Sequence, residues 1–297
     1  MIIDSHTHYA HARYDKEFPY LCPADGEYSI GRADRETLIS EMRKSGITGF
    51  IEPSIGFDAI EKQLELVKSH ENFMWSALGV HPTRCIHTSW KKRRKLLEYA
   101  KKYPVVAIGE TGLDYHLTRR EQRRFWQKIW FTHQIKLADK LKLPLVLHVR
   151  GADADALKIL KRYKNRLHGG VVHCFGGNYE CAKEYIALGF AIGVGGKLLA
   201  GENEATELSD TVKKAPFYSL LLETDAPFVF PDMKGLKCGS NQRKKLCNSS
   251  LILPLVLQKI AFLRDEDKQT VEDIIYENTL RVFNLQGNEI ETRLRKK

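Results

Sequence analysis

Eight short apolar runs recur along the chain, each followed by a longer amphipathic stretch, and this alternation limits the fold more than any other feature. The runs are residues 2–5, 47–52, 74–80, 104–109, 143–148, 170–174, 190–194 and 219–223. Several are apolar almost throughout, as strands buried on both faces must be, so an antiparallel sheet with one wet face fits poorly. The helical patterns between them, at 34–45, 57–70, 90–102, 118–141, 153–164, 179–188 and 205–214, are each long enough for a right-handed crossover. Eight βα units in series predict an α/β fold, a single closed (β/α)8 TIM barrel, with a doubly wound sheet as the alternative. An irregular polar segment, 226–247, then leads to extra C-terminal helices near 250–263 and 268–283. Residues 1–285 are expected to form the barrel and 286–297 a charged tail, with no internal repeat or linker between them.

Composition narrows the class further. A chain of 297 residues is large enough to bury about three quarters of its surface. Opposing 47 Lys and Arg to 37 Asp and Glu leaves a net charge of +10, which favours a polyanionic partner without identifying one. The six cysteines (Cys22, Cys85, Cys174, Cys181, Cys238, Cys247) include no Cys-x-x-Cys pair, so reduced thiols are expected. The chain opens with Met-Ile-Ile-Asp, and no segment approaches the roughly 18 apolar residues needed to span a bilayer. A cytoplasmic protein with no membrane or obligate protein partner is the expectation.

The chemistry gathers at the carboxyl ends of the expected strands, the face on which barrel active sites sit. The first run ends in Asp4-Ser5-His6-Thr7-His8, the fourth in Gly109-Glu110-Thr111-Gly112, the fifth in His148, the sixth in His173 and the eighth in Glu223-Thr224-Asp225. His6 and His8 alternate by two, so an extended strand end points both imidazoles to one side. Alone, such a pair also fits two polar residues in a turn. Five strand ends converging on one mouth need cations to satisfy their imidazoles and carboxylates. Four His plus Glu110 and Asp225 exceed the three or four protein ligands of a single catalytic zinc, so a second cation is expected. Glu110 has two oxygens with which to bridge such a pair, a geometry suited to phosphoester cleavage.

These residues resemble the TatD family of metal-dependent DNases, among the amidohydrolase-like barrels, from about residue 1 to residue 285. The resemblance is carried by DSHTH at 4–8, GVHPTR at 79–84, VVAIGETGLDY at 105–115, LPLVLHVR at 143–150, VVHCFGG at 171–177 and LLETDAPF at 221–228. It implies that His6, His8 and Asp225 hold one divalent cation, that His148 and His173 hold the other, and that Glu110 bridges them. Glu110 and Asp225 are then the catalytic residues, with Asp225 as proton acceptor. His81 and Arg150 would contact the substrate phosphate; His81 could instead orient another ligand, and Arg150 could neutralise the carboxylates. Zinc, manganese, iron and magnesium all remain open as the metal. DNA is the implied substrate, cut as a 3′-5′ exonuclease cuts single-stranded ends. Hydrolysis of an aminoacyl-tRNA ester or an amide is the alternative, and a noncatalytic scaffold the remaining class.

Two departures and three distractions stand beside the resemblance. Where the family commonly has Arg-Asn-Glu-Pro, this chain has Cys247-Asn248-Ser249-Ser250; if that Arg holds substrate, either Arg243, Lys244 or Lys245 replaces it or the substrate differs. Residues 9–32 form a longer first loop than is usual, placed to tune substrate choice. Gly193, Gly195 and Gly196 before Lys197 lack the spacing of a phosphate loop and predict a tight turn. The run Lys91–Lys95 falls in a helical pattern and predicts a solvated face. Phe125, Trp126, Trp130 and Phe131 repeat at helical spacing and predict core positions.

Overall fold

The computed structural model describes residues 1–24, 27–116, 121–199, 206–233, 236 and 238–285. Its strands are β1 (Ile2–Asp4), β2 (Phe18–Ala24), β3 (Glu27–Ala33), β4 (Ile47–Pro53), β5 (Met74–Leu78), β6 (Val105–Asp114), β7 (Leu145–Arg150), β8 (Gly170–Val172), β9 (Phe190–Val194) and β10 (Leu220–Leu222). The α-helices are α1 (Arg35–Lys44), α2 (Ile60–Ser69), α3 (Arg93–Lys102), α4 (Glu121–Leu141), α5 (Asp153–Arg162), α6 (Tyr179–Ala187), α7 (Thr206–Lys214), α8 (Ser240–Lys245), α9 (Leu253–Arg264) and α10 (Lys268–Phe283).

β1 and β4 to β10 form one parallel sheet in the order β1-β4-β5-β6-β7-β8-β9-β10. Its two ends meet. Ser5 N–H donates to Leu222 O at 2.8 Å and Asp225 N–H to His6 O at 2.9 Å, which joins β10 to β1 and closes the expected barrel. Strand alternation sends Ile3, Ile51, Ala77, Val146, Val171 and Leu221 into one buried cluster inside the barrel. Phe283 and Leu285, at the end of α10, join the same cluster and stopper one end of it. The alternate residues, such as Phe50, Leu78, Leu145, Val172 and Ile192, pack outwards with helical residues such as Leu38, Trp130 and Ile260. Each fully buried aliphatic or aromatic side chain of this kind contributes roughly 1.5–3 kcal/mol of burial free energy.

The first loop departs from expectation. Residues 18–24 and 27–33 pair as antiparallel strands, β2 with β3, that the sequence pattern did not announce. Pro19 and Pro23 ordinarily disqualify a strand. Here Pro19 O accepts from Cys247 N at 2.9 Å and Leu21 N donates to Cys247 O at 2.9 Å, so the odd-numbered residues of β2 turn away from β3. The missing proline N–H groups therefore cost the β2–β3 ladder nothing.

β6 also runs further than expected, to Asp114 rather than to 109. Of the four aromatics of α4, Trp130 and Phe131 are fully buried and Trp126 partly, but Phe125 is 57% exposed and is not a core residue. The Lys91–Lys95 run is largely exposed across a 3-10 turn and the start of α3, as a solvated face should be. The expected helix start at 118–120 and the charged tail at 286–297 lie outside the described residues. Among the described residues no helix is long and apolar enough to cross a membrane.

Candidate metal centre

The barrel brings all six expected ligands to one mouth. The chain bends at Ser5 and His6 just beyond β1, and Thr7 N–H bonds to Ile51 O at 3.0 Å and His8 N–H to Ala226 O at 2.7 Å, which pins His6 and His8 between β4 and the turn after β10. Asp225 sits in that turn with φ +55, a left-handed conformation that Asp tolerates better than most residues. Glu110 lies mid-strand in β6, its N–H bonded to Ser54 O at 3.2 Å. His148 lies on β7, and His173 follows β8 with its ring stacked on that of His6 at 3.8 Å.

Two groups of donor atoms result, and Glu110 belongs to both. In the first, His6 Nε2 and His8 Nε2 are 3.2 Å apart. Asp225 Oδ1 lies 3.6 and 3.3 Å from them, and Glu110 Oε2 lies 3.7 Å from each. Four ligands about 2.1 Å from a tetrahedral cation would be about 3.4 Å apart, so this set fits one divalent ion. In the second, Glu110 Oε1 lies 2.8 Å from His173 Nε2 and 2.9 Å from His148 Nδ1, which are 3.0 Å from each other. That spacing matches the roughly 3 Å edge of an octahedral set.

Hydrogen bonds on the far sides of the rings decide which nitrogen faces the centre. His8 Nδ1 lies 3.2 Å from Pro53 O, and His148 Nε2 lies 3.1 Å from Asp114 Oδ2. Burial works against charge on His8, but Asp225 and Glu110 outweigh it and hold its pKa up at about 9. His148 is likewise held at about 9, against burial, by Asp114 and Glu110. Burial and the neighbouring His173 push His6 well below its ordinary value. Burial opposes ionisation of Glu110, yet His81, His173 and His148 keep its carboxyl well below the usual range.

Asp114, Glu52, Asp4 and Glu223 were not singled out by sequence reasoning. Asp114 stands at i+4 from Glu110 on one strand, the periodicity that could have revealed it. Glu52 accepts the N–H groups of Tyr9 and Ala10 at 2.7 and 2.8 Å and so shapes the turn after His8. Asp4 accepts from the Thr224 hydroxyl at 2.6 Å and the Ser250 hydroxyl at 2.7 Å, while burial raises its pKa to about 7. Burial and Asp225 push the Glu223 carboxyl well above its ordinary range. A cation beside it acts in the opposite direction.

His81 sits next to Glu110, its Nε2 3.4 Å from Oε1. Its Nδ1 accepts the Thr83 N–H at 3.2 Å, which leaves the ring proton on Nε2 and aims it at Glu110. Arg150 is exposed and lines a cleft of about 390 Å³ with His148, His173, Asp225 and Lys197. A second cleft, of about 280 Å³, opens beside His8 and is lined by Lys62 and Arg84. Arg243, Lys244 and Lys245 lie exposed on α8 and line neither cleft.

The sequence profile of the TatD-related DNases matches residues 3–284. The chain is 35% identical over 254 residues to a Rahnella protein named 3'-5' ssDNA/RNA exonuclease TatD, covering 85% of this chain and 93% of that one. The chain belongs to the TatD-related DNase family. A Bacillus subtilis protein, YabD, described as an uncharacterized metal-dependent hydrolase, is 30% identical over 286 residues, 96% of this chain and all of that one. The crystal structure of YJJV, a TatD homologue from Escherichia coli K12, superposes with a TM-score of 0.76 at 29% identity, covering 95% and 98% of the two chains. Against the TatD pattern, the departure at 247–250 has a structural use. Asn248 Nδ2 donates to Val229 O at 2.9 Å, and Ser250 N–H donates to Tyr9 Oη at 2.9 Å. The segment thus ties the turns that follow β1 and β10 to each other.

Proposed function

We propose that this member of the TatD-related family is a phosphodiesterase that removes nucleotides from the 3′ ends of single-stranded DNA, with residues 1–285 as the catalytic unit. The observation that carries this is the opposed pair of Glu110 oxygens, one toward His6, His8 and Asp225, the other toward His148 and His173. A pair of divalent cations held there, of which zinc, manganese and iron suit the histidine-rich donors, would polarise the phosphoryl group and make water more acidic.

The protein's own groups complete the chemistry. Asp225 accepts the proton of the attacking water while its Oδ1 stays within 3.3 Å of His8 Nε2. Arg150, at the end of β7, forks onto the phosphate from the larger cleft. The strand lies across the mouth between the two clefts, with Lys62 and Arg84 along the smaller one. The Rahnella relative's name, 3'-5' ssDNA/RNA exonuclease, supports the polarity.

Product mapping on single-stranded oligonucleotides labelled at the 5′ or 3′ end, with and without chelator, tests the proposal. A 5′-labelled ladder shortening from the 3′ end, abolished by chelator and restored by metal, is expected. Turnover of aminoacyl esters without turnover of any diester would replace it with ester hydrolysis.

A further inference from the structure

Two buried polar atoms beside the second donor group lack a partner, and they face each other. Among the described residues His173 Nδ1 and Glu223 Oε2 have no hydrogen-bond partner, and they lie 4.0 Å apart. Their residues are 4% and 1% exposed, which leaves little access for water. The other Glu223 oxygen is engaged: Oε1 accepts the Cys174 N–H at 2.6 Å. Cys174 takes φ +50 to present that N–H, an unusual conformation for a residue with a side chain. A buried acceptor left unpaired destabilises the fold, so a carboxylate kept in this position calls for a use.

Two glycines of the 193–196 run are explained by the same residue, Gly193 by its carboxyl group and Gly195 by its backbone carbonyl. A Cβ at Gly193 would come 2.5 Å from Glu223 Oε2, and one at Gly195 would come 2.6 Å from Glu223 O. Neither is needed for a phosphate loop; both make room for Glu223. Two of the three other ligand rings show what that room is for, while His6 Nδ1 has no hydrogen-bond partner among the described residues. His8 and His148 each set a far-side nitrogen against an acceptor, Pro53 O or Asp114, which leaves the near-side nitrogen for the centre. His173 has one carboxyl oxygen available for the same purpose.

We infer that Glu223 is a positioning residue for the second cation: its carboxylate accepts a hydrogen bond from His173 Nδ1–H, which keeps the ring proton there and leaves Nε2 free to ligate. The inference rests on the two-cation reading of the centre. Closing the gap to a charge-assisted hydrogen bond, about 2.7–2.9 Å, takes a shift of roughly 1 Å.

Glu223→Gln inverts the device. Its amide oxygen has to meet the Cys174 N–H, which turns the amide NH2 toward His173 Nδ1 and drives the ring proton onto Nε2. Titration of chelator-stripped protein with zinc chloride, followed by calorimetry, is expected to give two equivalents for the parent. The variant should bind one equivalent at parental affinity, and the other roughly ten- to a hundredfold more weakly. Thermal unfolding of the stripped variant should be unchanged or shifted upward. A carboxylate with a merely structural role gives the opposite result, a lower Tm with two parental equivalents, and that outcome overturns the inference. Should Glu223→Gln fail to fold, Gly193→Ala displaces Oε2 with the carboxylate retained, and it should weaken the same equivalent. Two parental equivalents in a folded Gly193→Ala protein also overturn the inference. A parent that binds fewer than two equivalents overturns the two-cation reading and this inference with it.

Discussion

The Asp114 carboxylate lies 3.1 Å from Nε2 of His148, and Nδ1 of the same ring lies 2.9 Å from Glu110 Oε1. One strand therefore supplies both the acceptor that fixes the ring and the carboxylate the ring faces. Asp114→Asn weakens that acceptor, and binding of one cation is expected to fall roughly ten- to a hundredfold with the fold intact. Metal titration of the stripped variant checks this, and two parental equivalents would leave Asp114 a purely structural role.

Glu110→Gln should abolish turnover. An amide supplies neither the negative charge nor the second ligating oxygen that two donor groups share. Circular dichroism establishes folding and elemental analysis the metal content. A folded, fully loaded variant with near-parental activity would rule out the bridge.

Asp225→Asn keeps the shape and one oxygen but cannot accept a proton. Turnover should fall by about two to four orders of magnitude, the usual contribution of a general base, with much of the metal retained. Rates within a few-fold of the parent across the pH range would make Asp225 a ligand only.

Arg150→Ala should raise KM for a chromogenic phosphodiester more than it changes metal content, because Arg can fork onto phosphate and cannot ligate a cation. Its exposure at the cleft leaves it little else to hold. An unchanged KM for every diester tested sinks the assignment.

Metal affinity should climb with pH. His8 and His148 carry pKa values of about 9, above the ordinary imidazole value near 6.5, so each must release a proton to bind a cation. Zinc binding to stripped protein should tighten about tenfold per pH unit for each site between roughly pH 7 and 9, then level off. Both pKa values are raised by folding, so their stabilisation of the stripped protein is complete below about pH 6.5 and lost as pH rises through about 9. Affinity that stays flat across this window would refute the assignment of these two rings.

The parts of the molecule legible in the sequence are those written in local periodicity. Eight apolar runs became eight strands, α10 occupies 268–283 as its pattern predicts, and the six candidate ligands meet at one mouth. What stayed hidden depends on distant partners. β2 is a strand because Cys247, more than 200 positions away, accepts and donates where its prolines leave no ladder bond to lose. β6 continues through Gly112, a residue that looks like a breaker, because a Cβ there would strike His148 O at 2.1 Å. Phe125 shares the spacing of the buried Trp130 and Phe131, but its turn of α4 faces outward, a choice that packing makes and spacing does not.

The stopper formed by Phe283 and Leu285 also sets the order of events during synthesis. β1 leaves the ribosome first, yet its second neighbour, β10, follows more than 200 residues later, and the interior stays open until Leu285 has emerged. Between the emergence of β1 and that of β10 the nascent chain carries one bare strand edge, and until Leu285 emerges its core is unplugged, the condition under which chaperones engage a polypeptide.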